Sequence, residues 1–361
     1  MSVEPRLSRY LHQKAAAMGF PVAGNFELTP RCNFNCKMCY IHLSEAEQRR
    51  RGRELSAEQW LEIGEAAARE GLVFLLLTGG EPTLRPDFIE ILRGLKRLGL
   101  LISVNTNGYL LQGELRERLM ADPPHRLNIT LYGTSNETYE ALCGVPAYDR
   151  VVENIRALRQ AGMDVKLNLT LAPENLRDRE TVAEKALELG AHLQTAAYLF
   201  PPLRVTGQSA FPQRLAPEEA GRVEALQRLR SMDRSQLQTL REKLTLPEEM
   251  EESCAYCRSG RSAFWLSWDG KMLPCGMLPY PAPNVLELGF SEAWRIVRDT
   301  VKTLRYPLAC QQCRYREVCQ ICLAKCYTET QGFEKAPVYC CRMTRSMLEA
   351  MNIPCEMEVS S

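Results

Sequence analysis

Residues 31–40 read Arg31-Cys32-Asn33-Phe34-Asn35-Cys36-Lys37-Met38-Cys39-Tyr40, a C-x3-C-x2-C triplet that puts three thiols within eight residues. A closed thiolate metal site uses four ligands. Three thiolates on one tight loop can each take one iron of a 4Fe-4S cube, which leaves the fourth iron open to a small molecule. A zinc ion completed by a distant fourth residue fits the same triplet.

Working outward, the β-prone run Phe26 to Thr29 lies just ahead of the triplet, and short apolar runs then alternate with amphipathic helical stretches as far as residue 200. The predicted strands are Phe26 to Thr29, Leu72 to Leu77, Leu101 to Asn105, Leu127 to Leu131, Val165 to Leu171 and Leu193 to Leu199. Helical patterns at Ala57 to Glu70, Asp87 to Leu98, Arg150 to Ala161 and Arg179 to Leu189 end at Gly71, Gly99, Gly162 and Gly190, as helix C-caps do. Six strand-helix units predict an α/β fold, a parallel sheet curled by right-handed crossovers into a partial (β/α)6 barrel of TIM type. Active sites of such barrels lie at the C-terminal ends of the strands, which is where the triplet falls.

The chain has 361 residues, 45% hydrophobic and 25% charged, with a formal net charge of +1. That is the composition of an ordered globular protein with no field directed at nucleic acid or an anionic membrane. The run Arg49-Arg50-Arg51-Gly52-Arg53 is expected to be a solvated loop or helix start. No signal-peptide core opens the chain and no segment is apolar over the roughly 20 residues of a membrane span, so a cytoplasmic location is expected. Fifteen cysteines in a reducing compartment point to metal or redox chemistry rather than disulfides.

The cysteines fall at 32, 36 and 39, then at 143, and the remaining eleven lie from residue 254 onward. The chain therefore divides into a barrel over 1–205 with a short extension at 1–21, a helical linker over 206–250, a Cys-rich domain over 251–345 and a tail over 346–361. Val223, Leu226, Leu229 and Met232 are expected on the packed face of the linker helix. Cys355 in the tail is expected to be a bystander thiol. Four histidines, none of them in a cluster motif, disfavour histidine acid-base chemistry as the main engine.

The second predicted strand ends in Thr78-Gly79-Gly80-Glu81-Pro82. One loop away from Cys32, Cys36, Cys39 and the aromatic Tyr40, this resembles the GGEP motif and cluster loop of radical S-adenosylmethionine enzymes. The resemblance implies a 4Fe-4S cluster on the three cysteines whose open iron is chelated by S-adenosylmethionine, with the Gly79, Gly80, Glu81, Pro82 segment accepting hydrogen bonds from the cofactor amine. One electron would split the cofactor into methionine and a 5'-deoxyadenosyl radical that takes a hydrogen atom from substrate. By the same resemblance Tyr40 packs on the adenine, and Asn107 and Thr130 end strands near the ribose. Asn168 and Arg204 face the ribose and the methionine carboxylate. Turn and packing roles fit these residues equally. Cys143 fits a buried loop thiol better than the hydrogen donor that some relatives use.

The last third reads Cys254-x2-Cys257, Gly270-x4-Cys275, Cys310-x2-Cys313-x5-Cys319-x2-Cys322-x3-Cys326 and the adjacent Cys340 and Cys341. This resembles the SPASM extension, which implies two auxiliary 4Fe-4S clusters and three in all. By the family pattern the first takes Cys254, Cys257, Cys275 and Cys322, and the second Cys310, Cys313, Cys319 and Cys340. Cys326 competes with Cys322 and Cys341 with Cys340, although Pro337 three residues ahead of Cys340 matches related tails. A zinc ribbon remains the alternative for the C-x2-C pairs. Phe264 to Trp268 followed by Asp269-Gly270 predicts a hairpin that presents Cys275, with Trp265, Trp268 and Trp294 in the core.

Relatives with this layout modify peptides, so a peptide-modifying enzyme that forms a crosslink, a thioether or an epimer is expected first. An external electron donor such as flavodoxin or ferredoxin is implied. About thirty residues precede the triplet, fewer than the roughly eighty of a leading winged-helix recognition module, so such a module is expected on a separate protein. Gly276 stands where sulfatase-maturing relatives carry an aspartate, which disfavours that subfamily. The pattern CQQCRYREVCQICLAKC also resembles haem-side-chain and quinone-cofactor enzymes, which makes a small-molecule precursor the second expectation. A non-catalytic iron-sulfur or zinc protein is the third, and the GGEP segment argues against it.

Overall fold

The computed structural model describes residues 6–202, 213–245 and 257–357. Arg204 and Cys254 lie outside the described residues. Among the described residues eight strands form one sheet in the order β6-β5-β4-β3-β2-β1-β7-β8. They are β1 (Ala23–Glu27), β2 (Phe74–Thr78), β3 (Leu101–Thr106), β4 (Arg126–Thr130), β5 (Val165–Thr170), β6 (His192–Ala196), β7 (Ala263–Leu266) and β8 (Met272–Leu273). The six expected strands are present with ends shifted by a few residues, and all of their pairings are parallel.

The longer helices between them bury one stripe on the sheet. Ala57–Arg69 starts from a Ser56 and Gln59 capping box and turns Trp60, Ile63 and Ala67 inward. There the Trp60 ring lies 4.9 Å from that of Phe26 on β1. Phe88–Arg97 buries Phe88, Ile91, Leu92 and Leu95 in the same way. The basic run is the end of a short helix, Glu45–Arg51, capped by Ser44, with Arg49 to Arg51 in its last turn where the helix dipole favours cations.

Past the boundary expected at 251, the chain extends the barrel sheet. β7 pairs parallel with β1, Asn25 opposite Trp265, and so adds a seventh parallel strand. The predicted hairpin forms from β7 and β8. Phe290–Thr303 then covers β7, with the Phe264 ring 5.2 Å from Phe290, and Trp294 donates to the Gly19 carbonyl at 2.9 Å. Trp265, Trp268 and Trp294 are buried.

The expected linker is two helices, Pro217–Ser231 and Arg234–Thr245, and its buried face differs from expectation. Val223 is buried, but Leu226 and Leu229 are 43% and 37% exposed. The packed face is Ala220, Gly221, Val223, Ala225 and Arg228. Small residues win because the helix Val338–Ala350 lies against this face so closely that a Cβ on Gly221 would sit 2.3 Å from the Met343 carbonyl oxygen. The expected tail is also structured: Met351 and Ile353 are buried, and the Glu356 amide donates to the Tyr315 hydroxyl at 3.0 Å.

Gly221→Ala introduces a better helix former against an unyielding backbone. It is expected to lower unfolding free energy by about 1–3 kcal/mol in urea titration.

Candidate active site

The triplet loop is suspended between its neighbours by backbone hydrogen bonds. Gly80 N–H donates to the Thr29 carbonyl at 2.7 Å and Glu81 N–H to that of Arg31 at 2.8 Å. On the far side Asn35 N–H reaches the Cys143 carbonyl at 2.9 Å and Lys37 N–H that of Leu142 at 3.0 Å. The two glycines are required by this approach: a Cβ would lie 2.5 Å from the Thr29 oxygen at Gly79 and 2.3 Å from the Arg31 oxygen at Gly80. Beneath the loop Glu54 takes Arg31 Nε at 2.8 Å and Thr29 Oγ1 at 2.6 Å, while buried Arg85 donates to the Leu28 and Leu55 carbonyls.

These contacts frame a cavity of about 230 Å3 at the C-terminal ends of the strands. Its wall carries Cys32, Cys36, Cys39, Tyr40, Gly79, Gly80, Asn107, Thr130 and Asn168. The parallel register sets Thr130 on β4 beside Asn168 on β5. Of the described residues on this wall, Cys32, Cys36 and Cys39 alone carry a thiol, imidazole or carboxylate. Tyr40 and Cys39 also pack with Ile41, Trp265 and Leu273, which ties the loop to β7.

Two expected contacts lie elsewhere. Glu81 and Pro82 are not on the cavity wall. The Glu81 carboxylate is fully buried, accepting from Thr83 N–H at 3.1 Å, Thr83 Oγ1 at 2.5 Å, Thr106 Oγ1 at 2.8 Å and Asn107 N–H at 2.7 Å. Burial raises its pKa and these four donors oppose the rise. Glu81 thus joins the loops after β2 and β3, and Pro82 starts the short 3-10 turn Pro82–Leu84. Cys143 lies off the wall as the expected buried thiol, behind Cys36, whose thiol it contacts.

Thr78, Asn105 and Thr106, from the motifs that end β2 and β3, also line the cavity, as do Met38, Ile41, Tyr132, Thr170 and Leu199, which were not singled out from the sequence. A period-two signal existed for Thr170. Leu127 and Ile129 on β4, and Val165, Leu167 and Leu169 on β5, are buried, while Thr130, Asn168 and Thr170 alternate with them toward the hollow.

The thiols suit a cationic cluster. Burial pushes Cys32 up to about 12 and Cys39 up to about 11, and contact with Cys143 followed by burial raises Cys36 well above the usual thiol range. Left alone they are neutral, and a bound metal exchanges for their protons. Backbone N–H groups already point at two sulfurs, Phe34 at Cys32 at 3.4 Å and His42 at Cys39 at 3.3 Å.

Among the described residues no three His, Cys, Asp or Glu side chains converge on one point as a mononuclear metal needs. In the last third, Cys310, Cys313, Cys319, Cys340 and Cys341 line one hollow, joined there by Met357 of the tail. Cys275 neighbours Cys322 and Cys257. Cys326 is fully buried with its thiol against that of Cys310. Cys355 lies near Cys313. This region is tied to the β6 edge by Glu329, which takes Arg214 through both oxygens at 2.6 and 3.0 Å and the Tyr198 hydroxyl at 2.7 Å. Among the described residues no helix is long and apolar enough to cross a membrane.

Comparison with known proteins agrees with this geometry. The family model for the Radical SAM superfamily matches residues 26–186. The AdoMet-dependent heme synthase of Methanosarcina barkeri is 29% identical over 338 residues, 87% of this chain and 95% of that protein. The probable GTP 3',8-cyclase of Saccharolobus solfataricus is 40% identical over 168 residues, 46% of this chain and about half, 52%, of that protein. Among solved structures, Streptococcus suis SuiB bound to S-adenosylmethionine has a similar fold, with a TM-score of 0.68 at 18% identity over 92% of this chain and 81% of that one. The anSMEcpe structure with bound AdoMet gives 0.68 at 17% identity over 91% and 96%. The stretch that matches the Radical SAM superfamily model, residues 26–186, runs from the end of β1 through β5 and holds most of the thiol-lined cavity wall.

Proposed function

We propose that this chain cleaves S-adenosylmethionine reductively and abstracts a hydrogen atom from a peptide, leading to a crosslink, a thioether or an epimerised residue. The observation that carries the reaction class is the cavity wall, where three thiols face one hollow and no fourth thiol, imidazole or carboxylate from the described residues accompanies them. Cys32, Cys36 and Cys39 would hold a 4Fe-4S cluster, which would supply the electron that splits the cofactor. Gly79 and Gly80 keep the wall free of side chains, Thr130 and Asn168 offer hydrogen bonds along one side, and Tyr40 offers a flat face. Arg204 is proposed to meet the cofactor carboxylate. The apolar rim of Met38, Ile41 and Leu199 keeps water from the reacting atoms.

In the last third we assign Cys254, Cys257, Cys275 and Cys322 to one auxiliary cluster and Cys310, Cys313, Cys319 and Cys340 to another. The neighbourhood of Cys257, Cys275 and Cys322 supports Cys322 over Cys326. Electrons would come from an external donor such as flavodoxin or ferredoxin, and peptide recognition would use a separate protein. The peptide reading is supported by structures of similar fold that hold peptides, SuiB with the precursor peptide SuiA and anSMEcpe with Cp18Cys. A second reading, a haem precursor as substrate, is favoured by the likeness to the haem synthase along 95% of that protein.

Anaerobic protein with three cubes should bind about twelve iron per chain, and reduction with S-adenosylmethionine should release 5'-deoxyadenosine. Cys32→Ala should abolish that release, and undiminished release would refute the assignment of the triplet. Cys322→Ala should lower iron by about four per chain while Cys326→Ala leaves it unchanged, and the reverse order would exchange the two roles. To choose the substrate, 5'-deoxyadenosine formation is measured with a short Cys- or Tyr-bearing peptide encoded beside this gene and with a haem precursor. Stimulation and a mass change in the peptide support the first reading, and in the haem precursor alone the second.

A further inference from the structure

We infer that Asn107 is a positioning residue that donates its side-chain N–H to the Cys32 sulfur and raises the reduction potential of the cluster held there. The inference rests on the cluster assignment made above and concerns how that site is tuned.

The geometry starts from the amide's orientation. Tyr109 N–H donates to Asn107 Oδ1 at 3.0 Å, so the oxygen is fixed by a backbone donor and Nδ2 must face the other way. There it meets Asn33 Oδ1 at 2.8 Å and Cys32 Sγ at 3.8 Å, a contact from the loop after β3 to the loop after β1. The Asn107 main chain is also held, its N–H on Glu81 Oε2 at 2.7 Å. Glu81 in turn is held by Thr83 and Thr106, and Thr106 Oγ1 accepts from Gly108 N–H at 3.0 Å. Asn154 donates to the Gly108 carbonyl at 2.8 Å, so the turn is pinned on both sides.

This gives buried Glu81 a purpose that its distance from the cavity wall otherwise leaves open. Its carboxylate sets the turn that aims Asn107. At 8% exposure the Asn107 amide has little competition from water for the sulfur. Hydrogen bonds to cluster sulfurs are among the factors that set potential, because they stabilise the more negative reduced state. Phe34 and His42 supply such donors from within the triplet loop. Asn107 supplies one from a second loop, so the potential depends on how the two loops are docked.

The test is a redox titration followed by electron paramagnetic resonance on the reconstituted full chain. It uses the signal that changes when S-adenosylmethionine is added, which belongs to the cluster with the open iron. Asn107→Leu removes the donor at similar size, and Asn107→Asp keeps the acceptor for Tyr109 while replacing the donor by a negative charge. Both midpoints should move to more negative potential, Asp further than Leu, at wild-type iron and sulfide content. A purely structural role would not produce that order. Midpoints equal to wild type in both variants would overturn the inference while leaving the cluster assignment intact. A wild-type protein with no cofactor-sensitive signal would overturn both.

Discussion

The site depends on one close approach of two backbones. The stem of the triplet loop, Thr29 to Arg31, passes so near the turn after β2 that no side chain fits at Gly79 or Gly80, and hydrogen bonds from Gly80 and Glu81 fix it there. From the sequence the glycines were expected to leave space for a cofactor amine. Here they first make room for a neighbouring loop, and the face left bare toward the cavity follows from the same absence of Cβ. On the opposite side the carbonyls of Leu142 and Cys143, at the end of the helix Asn136–Cys143, complete the cradle. The three thiols then face one hollow while their backbones are held by loops from β2 and β4.

The last third grips the barrel at both edges of its sheet. At the β1 edge, β7 extends the parallel ladder and Trp265 donates to Glu27 at 2.7 Å, so the strand that precedes Cys275 also supports the wall beside Tyr40. At the β6 edge, the Arg214 and Glu329 ion pair and the packing of Pro217–Ser231 on Val338–Ala350 hold the five-cysteine hollow close to Tyr198 and the barrel mouth. The Arg214 guanidinium lies 3.7 Å over the Tyr339 ring, next in sequence to Cys340. Through these contacts a shift of the cysteine-rich region would be felt at the cavity.

Much of this was legible in the sequence because its signals are local. Six strands and their capped helices follow from period and glycine placement, and the cysteine triplet and the Gly-Gly turn name two adjacent loops. What was missed depends on contacts distant in sequence. That Phe264 to Leu266 would pair with Asn25 and its neighbours, some 240 residues earlier, is invisible to any local pattern. Spacing also gives no side-chain direction, so Glu81 was expected in the cavity and lies behind it. Large apolar residues were expected to mark the packed face of Pro217–Ser231, but the tight crossing selects Gly221 and Ala220, whose size a hydrophobic pattern undervalues. The polar alternation on β5 was present, and Thr170 escaped notice because an apolar run was taken as the whole strand signal.

The central claim is that the triplet leaves one iron without a protein ligand and that S-adenosylmethionine binds it. Electron-nuclear double resonance on the reduced protein, with the cofactor amine labelled with nitrogen-15 and its carboxylate with oxygen-17, tests that bond directly. The account predicts couplings from both labels that vanish in Cys36→Ala. A reduced cluster at Cys32, Cys36 and Cys39 that shows neither coupling at saturating cofactor would contradict it.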